Sequence, residues 1–174
     1  MRAIAALLAL FTALCGPLAK ANVIVSFYSV PASMITGRSV HAFFTLSGTL
    51  ESNGKAIDEN YGFSAATWNP AGFFRPVKQT MLIEKPDYIQ RARYHFSTTI
   101  NDETYHSIVR EVNLWWRSPD YLWDIDKRNC VTFVGIVAQM SGLKVAFPTQ
   151  MMRQPRRYLD HIATLNPQLS NASD

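Results

Sequence analysis

The hydrophobic pattern of this chain changes period once, near residues 101–102, and that change bounds what it can fold into. Upstream, apolar residues alternate with polar ones or run in short β-branched and aromatic stretches, which is strand behaviour; downstream they recur at helical spacing. Residues 23–30 form the first expected strand. Residues 39–50 form a second, with Phe43, Thr45 and Ser47 on one face and Phe44 and Leu46 on the other. Ser52-Asn53-Gly54 is a hairpin signal, and residues 56–66 return as the partner strand. Asn69-Pro70-Ala71-Gly72 breaks the pattern, and two further strands are expected over 77–84 and 94–100.

Helices follow. Asn101 or Asp102 can cap a helix carrying Tyr105, Ile108, Val109, Val112 and Trp116 on one side, ended by Ser118-Pro119-Asp120. Residues 121–128 read as an ordered aromatic loop. A second helix spans 130–140, with Phe133, Val134, Val137 and Ala138 as its buried stripe and Ser141-Gly142 as its stop. A last helix is expected over 155–165, and residues 166–174 read as a frayed tail. Strands first and helices second predict an α+β fold, an antiparallel sheet packed against helices.

The N-terminus reads as an export signal. Arg2 supplies the basic start, residues 4–14 a short apolar run, and Ala19-Lys20-Ala21 a small-x-small cleavage site, so residues 1–21 are expected to leave and the mature chain to start at Asn22. That predicts a periplasmic or secreted protein with one domain over residues 22–165. Loss of Arg2 and Lys20 lowers the formal charge from +4 to +2, and no dense basic block precedes Arg153, so nucleic acid is not an expected partner.

The chain has two cysteines, and cleavage removes Cys15. Cys130 then stands alone in an exported chain, which points to a reactive thiol. It opens a helix, where partial positive charge lowers a thiol pKa and unpaired N–H groups can receive an oxyanion. A thiol nucleophile needs a base, usually histidine. Of His41, His95, His106 and His161, only His41 and His95 fall on strands, the rigid elements that position side chains best. Asp120, Asp124 and Asp126 lack the form of a calcium loop, and no His, Cys or Asp pair has zinc spacing, so neither metal nor cofactor is expected. Trp115, Trp116, Tyr121, Trp123 and the Phe73-Phe74 pair are candidates for packing or for lining a cleft.

His41 on a hairpin strand, Tyr61-Gly62-Phe63 on the returning strand, and Asn129-Cys130-x-x-Phe133 opening a helix that closes at Gly142-Leu143 resemble the circularly permuted branch of the papain-like, NlpC-type superfamily. That branch includes lecithin retinol acyltransferase-like proteins and bacterial amidases, and its histidine strand precedes its cysteine helix. The resemblance covers roughly residues 38–145. It implies that Cys130 is the nucleophile and His41 the base, with a polar residue on the next strand orienting the histidine. A two-residue turn at Asn53-Gly54 would place Asn60, Gly62 and Ser64 on the face of His41. The family spacing instead favours Glu59, whose carboxylate would also stabilise an imidazolium; Glu59 is the expected third member, with Asn60 and Ser64 as alternatives. The function so implied is an exported cysteine amidase or peptidase cleaving an amide bond in cell-wall peptide. The alternatives are a lipid acyltransferase or hydrolase that takes a lipid or acyl donor on the same fold, and a non-catalytic periplasmic binding module.

Overall fold

A computed structural model describes residues 22–32, 40–67 and 70–172. The expected export signal, Ser39 and Asn69 lie outside the described residues. Five strands form one antiparallel sheet in the order β4-β3-β2-β1-β5: β1 (Val23–Val30), β2 (His41–Thr49), β3 (Ala56–Ala65), β4 (Gln79–Leu82) and β5 (Arg93–Ile100). Among the described residues four α-helices accompany it: α1 (Pro86–Arg91), α2 (Asp102–Arg117), α3 (Cys130–Met140) and α4 (Pro155–Leu165). The protein is thus α+β, with the sheet packed against helices.

Strand alternation divides the sheet into two faces. Val23, Val25 and Phe27 of β1, Ala42, Phe44 and Leu46 of β2, Phe63 of β3 and Phe96 of β5 are all buried beneath α2, α3 and α4. Phe133 of α3 is the hub of this core: its ring lies 5.6 Å from Phe44, 6.0 Å from Phe63 and 5.1 Å from Trp115. A buried ring so placed is worth about 3–5 kcal/mol against alanine. On the opposite face His41 and Phe43 are also buried, and Tyr88 of α1 packs against Phe43 with ring centroids 5.9 Å apart.

The β2–β3 turn is longer than a two-residue hairpin. Leu50 accepts from Gly54 and donates to Lys55, leaving four residues between the closing pair, and Gly54 supplies the one left-handed conformation the turn needs (φ 71°). Side chains stabilise the turn from outside: Asp102 accepts from the N–H groups of Glu51 and Ser52, and Asn53 accepts from Lys55. The partner of β2 therefore shifts by two residues, which preserves every face assignment because side chains alternate with a period of two.

The tail expected to fray over residues 166–174 is anchored at its start, and residues 173–174 lie outside the described residues. Asn166 is 1 % exposed, and its amide accepts from Lys144 N–H while donating to the carbonyls of Lys144 and Ile162. A short 3-10 turn follows over Pro167–Ala172, and Leu169 packs on the core. The two-sided Asn166 bond, invisible to local periodicity, holds this segment down. Among the described residues no helix is long and apolar enough to cross a membrane.

Candidate active site

The site arises where the sheet ladder fails. The β2–β3 pairing runs from Thr49↔Ala56 to Phe44↔Tyr61 and stops; from Gly62 onward β3 pairs with β4 instead. The start of β2 is then paired with β1 alone, and a cleft of about 490 Å³ opens beside it, lined by His41, Ser64, Glu84, Cys130 and a mostly apolar wall. Sites of this size accept small molecules or one or two residues of a larger substrate.

Cys130 reaches the cleft as the first residue of α3. Asn129 caps the helix, accepting from Val131 and Thr132 N–H at 2.8 and 3.2 Å, while its amide donates to the carbonyls of Ile125 and Met152. The Asn129 side-chain amide is thereby engaged through both its oxygen and its nitrogen in fixing the helix start. The backbone N–H groups of Ala42, Val131 and Cys130 itself act on the Cys130 sulfur and favour its thiolate. Ala42 is the residue after His41, and the thiol and the imidazole, far apart in sequence, line the same cleft. The expected lowering of the thiol pKa is corrected: burial pushes Cys130 up to about 11, outweighing the three N–H groups that pull it down.

His41 is 7 % exposed, and burial pushes its imidazole down to about 4. Thiol and imidazole are both neutral at rest. The ring edge carrying Nε2 rests on Gly62, where any Cβ would collide with it. Nε2 is buried without a hydrogen-bond partner among the described residues. Glu84 Oε1 stands 3.7 Å from it, beyond a hydrogen bond but within ion-pair reach once the ring is protonated.

Glu59 is not at the histidine. It lies on the helix face of β3 opposite Leu46, and its carboxylate accepts from Tyr61 and Tyr105 hydroxyls at 3.0 and 2.9 Å. Reaching His41 would take a bulge, and the β2–β3 ladder has none. Asn60 does share the His41 face, yet its amide grips the backbone of Glu84 rather than the imidazole. Ser64 lines the cleft. Glu84 escaped sequence reasoning because it follows a different strand; its one local signal is a carboxylate wedged between Ile83 and Lys85-Pro86.

The other candidates fall into place around the cleft. Trp123 and Phe73 line it, Phe74 is 90 % exposed, and Trp115 is buried in the core, donating to Glu111. Tyr121 lies beneath the Arg128 guanidinium at 4.4 Å, and Asp126 holds Arg153 at 2.7 and 2.8 Å. His95 makes a second array: Ser29 Oγ lies 2.7 Å from Nε2 and Asp160 Oδ1 lies 2.9 Å from Nδ1. The order is that of a serine hydrolase triad. Ser29, however, is 2 % exposed and absent from the cleft lining, so the array ties β1 and β5 to α4 rather than presenting a nucleophile. A bulge in the β1–β5 ladder between Phe27 and Tyr28 leaves His95 outside the pairing and aims its ring at α4. No family model matches the chain, and neither the curated proteins nor the solved structures contain a match.

Proposed function

We propose that the protein is a cysteine hydrolase of amide bonds in a permuted papain-like arrangement, with its histidine strand ahead of its cysteine helix. The observation that carries this reading is the shared cleft: Cys130 sulfur against Ala42, His41 beside it, and Glu84 behind the imidazole. Since burial keeps the resting pair neutral, His41 acts as a general base during attack rather than in a preformed ion pair. With Nε2 turned toward Glu84, Nδ1 takes the Cys130 proton as sulfur bonds to the amide carbon. The Cys130 N–H at the helix start receives the oxyanion. Nδ1 then returns its proton to the nitrogen as the C–N bond breaks and the amine leaves; water attacks the thioester with His41 again accepting a proton, and His41 gives that proton to sulfur as the C–S bond breaks, which releases the carboxylic acid and restores the thiol. Glu84 stabilises the imidazolium in both steps.

Export to the periplasm or beyond, proposed from residues 1–21, makes cell-wall peptide the first substrate to try. Purified wall fragments should be cleaved by the protein and left intact by Cys130→Ala; undiminished cleavage by that variant eliminates the proposal. One observation favours a second reading: Phe73, Leu82, Trp123, Ile125 and Met152 give the cleft an apolar wall suited to an acyl chain. Incubation with a phospholipid, followed by mass spectrometry, separates the two. A lipid-derived thioester on Cys130 with no action on wall peptide selects the acyl-transfer chemistry.

A further inference from the structure

We propose that Asn60 is a positioning residue for the catalytic base, acting through Glu84; this rests on the Cys130–His41 reading above. The β3–β4 ladder ends at Gly62↔Leu82, and continuing its register by one step would pair Asn60 with Glu84. No backbone ladder forms there, because β4 stops at Leu82 and the chain turns away toward Pro86 of α1. The Asn60 side chain replaces it. Its Oδ1 accepts from Glu84 N–H at 2.5 Å, and its Nδ2 donates to Glu84 carbonyl oxygen at 3.1 Å. Both backbone groups of Glu84 are thus held in strand register by one amide, although the strand itself has ended.

The consequence falls on His41. Glu84 lies just past a strand end, ahead of an exposed Lys85-Pro86 turn. The two-point grip fixes the Glu84 backbone, and with it the carboxylate at 3.7 Å from His41 Nε2. Only an amide can do this from position 60, since the grip needs an acceptor and a donor on one planar group. Asn60 therefore sits on the strand and face where a histidine-orienting residue is expected, but sets the orienting carboxylate instead of touching the ring. The titratable side chains sharing the cleft with His41 are Glu84, Cys130 and Tyr88; Arg153, also on the lining, is engaged by Asp126.

The test is an NMR titration of His41 in the full chain, assigned with His41→Gln, alongside melting curves. An ionised carboxylate at this range favours the imidazolium, so Glu84→Gln should shift the measured value downward. Asn60→Ala should lower it too, and the Asn60→Ala/Glu84→Gln pair should go no lower than Glu84→Gln alone, because the two act on one interaction. Asn60→Thr suits a strand and lacks the grip; it should reproduce the Asn60→Ala value if the alanine variant folds poorly. A His41 titration that responds to Glu84→Gln but not to either Asn60 variant overturns the inference, as does additivity in the double variant. The Cys130–His41 reading fails separately, on wall-fragment cleavage by Cys130→Ala.

Discussion

Gly62→Ala should disable the site while leaving the fold standing. Gly62 is not among the glycines with positive φ, so alanine meets no backbone strain there. What it meets is the imidazole: its Cβ would overlap His41 Nε2 and lie 3.1 Å from Cε1 and 3.2 Å from Phe43 Cβ. Ordinary carbon contacts need about 3.5–4.0 Å, so the ring must withdraw by roughly 1 Å. Overpacking costs about 1–3 kcal/mol, and alanine returns about 0.4–1 kcal/mol by restricting the unfolded chain. The ring is the free end of its side chain and can swing, which sets the net cost near 1 kcal/mol, or about 2–4 °C in Tm for a chain of this size. Catalysis suffers more, because a displacement of about 1 Å in a reacting group costs on the order of 100-fold. Melting by circular dichroism and cleavage of purified wall fragments read the two effects separately. Full activity in a folded Gly62→Ala protein would refute the placement of the His41 ring as the base.

Three other outcomes are expected. Because burial pushes the thiol up to about 11, iodoacetamide should alkylate Cys130 at pH 7 more slowly than a free cysteine, accelerating steeply above about pH 9; faster labelling at pH 6 would mean a preformed thiolate. The folded state holds His41 and His95 below the ordinary histidine value of 6.5, so the unfolded chain binds more protons as the medium acidifies. Stability should therefore be full above about pH 6.5 and fall toward pH 4, and urea melts of His41→Gln and His95→Gln should each show a shallower fall. Asn166→Ala, which leaves the Lys144 and Ile162 groups unpaired, should lower stability by about 1–3 kcal/mol without changing activity, measured by the same melts.

The architecture was largely legible because it follows from local periodicity. Residues 23–30, 130–140 and 155–165 are, to the residue, β1, α3 and α4, and the change of period near residue 101 falls at the start of α2. Helix α1 went unseen: six residues opening with a proline offer too short a run for a periodic signal, and tertiary packing of Tyr88 on Phe43 decides it. The site was legible where it depends on strand parity. Alternation alone put Asn60, Gly62 and Ser64 on the face of His41, and a turn two residues longer than expected changed nothing there. What parity could not show is where a ladder stops. Glu59 was favoured by spacing along one strand, whereas the carboxylate near His41 arrives from β4, whose position depends on β3 exchanging partners at Gly62. The thiol pKa was misjudged for a related reason: a helix start is visible in sequence, but the burial that outweighs it is not.

That exchange of partners explains more of the site than any single residue does. When β3 leaves β2 at Gly62, the Ala42 N–H on the vacated side loses its ladder acceptor, and a buried N–H must find another. The Cys130 sulfur is the group on which that N–H acts. The same departure opens the gap that the His41 ring fills, and only glycine at position 62 leaves room for it. One step further along β3, Asn60 is left facing a strand that has already ended, and its amide completes the register that the backbone abandons. Thiol, imidazole and carboxylate are thus each held by a group that an unbroken sheet would have consumed. The proposed chemistry would be lost by repairing the sheet: substitutions that extend the β2–β3 ladder past Phe44 should stabilise the fold and close the cleft together, a coupling between stability and the proposed activity that follows from where the ladder stops.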